Sequence, residues 1–185
     1  METLLGFGKF TLVAIGCTVV CVCAACVIGV LLIVAGENAA TNQAIRDNDG
    51  FGSEDKPIPL GEYAQFKNGQ VRIAEADYAA TERVLNETLL GATNIAAGSR
   101  YILIRFDLFC EKQHCDQSEL ALHVIADDGK AWSEELTLAK YNEDFPDAVE
   151  GAASTGWQVF EFPVARTVKA VRVKWEGVTL YLAAP

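Results

Sequence analysis

Apolar residues fall in two different patterns along this chain. From Phe10 to Ala35 the run FTLVAIGCTVVCVCAACVIGVLLIVA carries no charge, and Thr11 and Thr18 are its only hydroxylated side chains. From Leu60 onward apolar and polar positions alternate instead, in short stretches bounded by Gly, Asp and Asn. The 26 residues of the first run would span about 39 Å as a helix, enough to cross roughly 30 Å of hydrocarbon with some tilt. Only a helix lets a lone segment satisfy its own backbone in lipid, so the first pattern predicts one transmembrane helix over residues 10–35. The apolar core of a cleaved signal peptide, about 7–15 residues, is much shorter, although Val34-Ala35-Gly36 would suit a signal peptidase. Lipidation fits poorly, because eight apolar residues follow Cys26 before Ala35.

The second pattern predicts strands. Gln70–Ala74 alternates after a turn at Lys67-Asn68-Gly69. Arg100–Cys110 puts Ile102, Ile104, Phe106 and Leu108 on one face and Leu103, Arg105 and Asp107 on the other. Leu120–Ala126 alternates up to a turn at Asp127-Asp128-Gly129, and Trp157–Val164 follows Gly156. Ala170–Trp175 sets Val171, Val173 and Trp175 opposite Arg172 and Lys174, and Thr179–Leu182 ends the series after Glu176-Gly177. Ala79–Leu90 reads as one short helix stopped by Gly91. About six strands with no repeated βα alternation predict an all-β fold, a β-sandwich. The stretch between the two patterns is rich in Asn, Asp, Gly and Ala and closes with Pro57 and Pro59, which is linker chemistry. The expected organisation is a short cytoplasmic N-terminus (1–9), a transmembrane helix (10–35), a flexible tether (36–59) and a β-sandwich domain (60–185).

Several stretches in order carry a family likeness: Pro59-Leu60-Gly61-Glu62, Gly98 through Phe106, Asp127-Asp128-Gly129-Lys130-Ala131-Trp132, and Gly156 through Pro163. Over roughly residues 57 to 183 the chain resembles a bacterial membrane-anchored immunoglobulin-like domain of unknown function, sometimes labelled after telomeric repeat-binding factor. The resemblance implies an extracytoplasmic immunoglobulin-like β-sandwich and brings no catalytic residues with it. The insert around Ala79–Leu90 and the pair Cys110 and Cys115 depart from that pattern.

Charge narrows the partners. The chain holds 15 basic and 25 acidic residues, a net charge of −10. A negative field of that size excludes nucleic acid as a partner, since phosphate binding needs a positive surface. Lys9 and the amino terminus precede the apolar run, while Glu37 is the first charge after it. The positive-inside rule therefore puts the N-terminus in the cytoplasm and the large domain outside the cell membrane. Within the run, Cys17, Cys21, Ala25 and Gly29 recur every four residues. A small-residue stripe lets another backbone approach, so it is the expected contact for a membrane-protein partner or a second copy of the chain.

Candidate chemistry is sparse. The histidines, His114 and His123, show no spacing that pairs either with a nucleophile, and the reading is of a protein that is not an enzyme and needs no cofactor. Three close ligands, Cys110, His114 and Cys115, make a poor tetrahedral zinc set, so no metal site is expected. Cys110 and Cys115 are the only cysteines outside the apolar run. A hairpin turn between them would bring them to disulfide spacing, and an oxidising compartment would close the bond. The acidic loop Asn142-Glu143-Asp144-Phe145-Pro146-Asp147 reads as a solvated loop, with calcium binding as its lesser alternative, and Arg166, Lys169, Arg172 and Lys174 form a basic surface candidate. Two functions follow as expectations: a membrane-tethered binding or accessory module, and, as the alternative, an envelope sensor or ligand-capture domain whose pocket opens between the two sheets.

Overall fold

The computed structural model describes residues 36–87, 95–111, 115, 120–133 and 150–184. The chain forms two compact units, Met1–Ala39 and Ala40–Pro185. The predicted span over 10–35, with Cys17, Cys21, Ala25 and Gly29, lies outside the described residues, as do His114 and the acidic loop around Asp144. Among the described residues no helix is long and apolar enough to cross a membrane.

The second unit is a β-sandwich of two antiparallel four-stranded sheets. Its elements are the helical residues 36–47 (α1, which enters the unit at Ala40), β1 Ala64–Gln65, β2 Gly69–Asp77, α2 Thr81–Glu87, β3 Ser99–Cys110, β4 Ala121–Ala126, β5 Ala131–Ser133, β6 Ala153–Pro163, β7 Val168–Trp175 and β8 Val178–Ala183. One sheet has the order β1-β2-β3-β6 and the other β5-β4-β7-β8. Alternation decides which side chains meet between them. Ile102, Ile104, Phe106 and Leu108 of β3 join Val71, Ile73, Phe160 and Phe162 from their own sheet, and Val124, Val171, Val173, Trp175, Leu180 and Leu182 from the other. Each large side chain so buried contributes about 1.5–3 kcal/mol.

Leu103 lies on the opposite face of β3, as its parity requires, yet it is fully buried. The reason is α2, which lays Val84 over that face to form a second cluster with Ala80, Tyr101, Leu103 and Val159. Further along the same face, Asp107 takes two hydrogen bonds from Arg72, at 2.7 and 2.9 Å, and one from the Thr155 hydroxyl. Burial pushes the Asp107 carboxyl up. The Thr155 and Arg72 hydrogen bonds and the charges of Arg72 and Arg105 outweigh this and hold it below the usual carboxylate range.

The flexible tether expected over 36–59 is corrected by the structure. Residues 36–47 are helical, and Ala44 and Ile58 are buried in the main core. Asn48 donates to the carbonyls of Ala44 and Gln65 and accepts from the Gln65 N–H, which fastens the end of α1 to β1. The Thr41 hydroxyl accepts from the Thr179 N–H of β8. Ile58 forms a parallel bridge with Leu182, donating to the Tyr181 carbonyl and accepting from the Ala183 N–H, both at 2.8 Å. A few apolar anchors at long intervals are enough to dock a segment whose composition is otherwise polar.

Two bulges interrupt the ladders. Ala74 has no partner between the Ile73–Phe106 and Glu75–Arg105 pairs, and Lys169 has none between Ala170–Ile125 and Val168–Ala126. An extra residue reverses the facing of everything beyond it. On β2 this turns Glu75 and Asp77 outward and brings Ala76 and Tyr78 against the core. On β7 it returns Val168 to the core side.

Candidate functional site

Cys110 ends β3 and pairs in register with Gly69 at the start of β2. It is joined to Cys115 in a disulfide with the Cα atoms 5.8 Å apart, and both residues are buried. The neighbourhood is closely packed. A Cβ on Gly69 would sit inside contact distance of the Phe109 carbonyl oxygen and 2.9 Å from the Trp175 ring, so this position needs glycine for room. Asn68 donates to Glu176, and Glu111 accepts from Gln65 and Gln70 at 3.0 and 2.7 Å.

The basic surface candidates are only partly a basic surface. Arg166 pairs with Asp127 and Asp128 at 3.6 and 3.3 Å, and Lys169 with Glu54 at 2.8 Å. Arg172 and Lys174 are on the outward face of β7, where Arg172 stands directly across from His123 of β4. The His123 imidazole is held below its usual range, first by burial and then by the Arg172 charge, and its Nδ1 has no hydrogen-bond partner. The four basic residues are thus not gathered into one free patch. Among the described residues, no group of three or more acidic, histidine or cysteine side chains is placed to hold a metal ion.

A different place emerges at the end of the sandwich away from the disulfide. A cleft of about 230 Å³ is lined, among the described residues, by Tyr78, Arg100, Thr167 and Val168. Tyr78 follows β2 and Arg100 is the second residue of β3 in one sheet, while Thr167 precedes β7 and Val168 opens it in the other. Tyr78 and Val168 pack on the main core and give the cleft an apolar part beside its polar groups. Among the described residues, two polar atoms are buried there without a partner, the Tyr78 hydroxyl and Arg100 Nε. Burial pushes the Tyr78 phenol up to about 12 against the opposing pull of the Arg100 charge, so the hydroxyl keeps its proton. Arg100 Nη2 donates at 3.4 Å to the Arg166 carbonyl, on the turn whose side chain holds Asp127 and Asp128. The Thr167 hydroxyl donates to Asp127 at 3.3 Å.

Sequence reasoning passed over this site. One signal was present: Arg100 shares its strand parity with Ile102, Ile104 and Phe106, so it is a cation at an inward position. The facing of Tyr78 had no such signal, because it depends on the bulge at Ala74.

No family model matches the chain, and no curated relative does. Among solved structures, it is similar to an uncharacterized β-sandwich protein from Clostridium difficile 630, with 16% identity, a TM-score of 0.47, and coverage of 70% of this chain and 95% of that one. It is similar also to MPT63, a secreted protein from Mycobacterium tuberculosis, with 11% identity, a TM-score of 0.47, and coverage of 69% and 98%. A conserved hypothetical protein from Bacillus anthracis gives 8% identity, a TM-score of 0.46, and coverage of 68% and 94%.

Proposed function

We propose that this chain is a non-enzymatic, membrane-tethered binding or accessory module. In this reading residues 10–35 cross the cell membrane and residues 1–9 lie in the cytoplasm. The immunoglobulin-like sandwich then stands outside, and the stripe Cys17, Cys21, Ala25 and Gly29 meets a membrane-protein partner or a second copy. The single observation that supports the outside placement best is the Cys110–Cys115 disulfide, buried at the edge of the core. Such bonds form and persist in oxidising compartments, and the cytosol keeps equivalent thiols reduced.

A membrane-impermeant maleimide applied to spheroplasts tests the placement, with the Cys110→Ser, Cys115→Ser double variant as the blank. Labelling is expected only after an impermeant reductant is added. Labelling only after lysis would overturn the placement, and labelling without reductant would overturn the disulfide that supports it. Co-purification in mild detergent tests the module itself, the expected result being a stoichiometric membrane partner or homo-oligomer that Gly29→Leu weakens.

A second reading, ligand capture by the sandwich, is favoured by the cleft between the two sheets at Tyr78 and Arg100.

A further inference from the structure

We infer that the cleft at Tyr78 and Arg100 binds a small aliphatic carboxylate; this deepens the ligand-capture reading and rests on it. The first ground is hydrogen bonding. Buried polar atoms in native folds are almost always paired, and a pair of orphans in one cavity needs an explanation. Arg100 Nε can only donate and the Tyr78 hydroxyl can donate as well as accept, so one acceptor group with two oxygens would satisfy both.

The second ground is charge. Among the described residues Arg100 has no carboxylate partner, and the neighbouring acids are already engaged. Asp127 and Asp128 are held by Arg166, and Asp77 accepts the Ala79 N–H. An anionic acceptor would complete the set, with one carboxylate oxygen on Arg100 Nε and the other on the Tyr78 hydroxyl.

The third ground is shape. The apolar part of the cleft at Val168 and the Tyr78 ring suits a short hydrocarbon body, and its volume of about 230 Å³ fits a small one. Finally, the bulges at Ala74 and Lys169 both serve this place. The bulge at Ala74 re-aims Tyr78 and the bulge at Lys169 re-aims Val168, one from each sheet. Bulges recur beside functional sites because they redirect a side chain that regular alternation would point elsewhere.

The test uses the full chain in detergent, with the arginine Nε–H resonance of Arg100 followed by nitrogen-15 NMR while sodium butyrate is titrated in. Butyramide and inorganic phosphate serve as probes of the same shape without the charge and of the charge without the apolar body. Butyrate is expected to shift the Arg100 resonance saturably. Tyr78→Phe should weaken the apparent affinity about tenfold, and Arg100→Gln about thirtyfold by calorimetry, as for loss of charge-assisted hydrogen bonds. Tyr78→Phe keeps the ring and so separates lost binding from lost folding. Equal butyrate affinity in the wild type and both variants would overturn the site. A shift with butyramide or phosphate but none with butyrate would overturn the carboxylate assignment and leave ligand capture standing. No shift with any of the three probes would overturn both.

Discussion

The two ends of the sandwich are built on opposite plans. At one end Cys110 is bonded to Cys115, Gly69 admits the Phe109 carbonyl and the Trp175 ring, and Asn68 reaches across to Glu176. At the other end the strands leave a cleft, and two buried donors in it have no acceptor among the described residues. The same strands, β2, β3 and β7, run from one end to the other, so the contrast is not one of sequence region or sheet. It reflects how the ladders finish: in unbroken register at the disulfide end and through a bulge in each sheet at the cleft end. An end closed by packing and a covalent bond contributes stability, while an end left open with oriented donors is available for binding.

The largest effect expected of a single change is at the closed end. Gly69→Val forces the Phe109 backbone and Trp175 apart and should destabilise the domain by about 3 kcal/mol, read as a fall in the urea midpoint. A loss under about 0.5 kcal/mol would show that the close approach is not a constraint. Next is the disulfide, whose short loop limits its contribution to about 2 kcal/mol, so reduction should lower the midpoint without unfolding the domain at room temperature. Midway along the strands, Asp107→Asn removes the charge and one of the two oxygens that accept from Arg72 and Thr155, and should cost about 1 kcal/mol. The Asp107 pKa is lower folded than unfolded, so its contribution is complete above about 3.9 and is lost as pH falls through the folded value. The wild type should therefore lose stability in that acid window, and Asp107→Asn should lose less there.

The smallest effect belongs to the open end. Tyr78→Phe removes a hydroxyl that has no partner, so unfolding should change by no more than about 0.5 kcal/mol, and in the stabilising direction if at all. A clear loss of stability would mean the hydroxyl is already satisfied and would erase the contrast between the ends.

How much of this was readable in advance differs by residue. Alternation in β3 sorts Ile102, Ile104, Phe106 and Leu108 from Leu103, Arg105 and Asp107 correctly, because a strand's period of two is a local property. The covering of Leu103 by α2 and the paired state of Arg166 and Lys169 were not readable, since the partners come from distant stretches: Val84, Asp127, Asp128 and Glu54. Residues 36–59 look like a tether because solvent-facing helical residues and linker residues share a polar composition, and Ala44 and Ile58 are too sparse to mark a period. On β2 strict alternation from Val71 and Ile73 would turn Glu75 and Asp77 inward. That conflict was the only trace in the sequence of the bulge that aims Tyr78 at the cleft.

The docking of residues 52–58 on β8 has a consequence for how copies of this protein meet. β8 is the outermost strand of its sheet, and an outermost strand with free N–H and C=O groups is a template for pairing with another chain. Ile58 takes up the Tyr181 carbonyl and the Ala183 N–H, and the Gly52 carbonyl accepts the Tyr181 N–H at 2.9 Å. The segment thus works as a guard against aggregation. A fragment begun at residue 60, where strand alternation first appears, would bare this edge and should self-associate strand to strand, whereas one begun ahead of Thr41 keeps the guard in place.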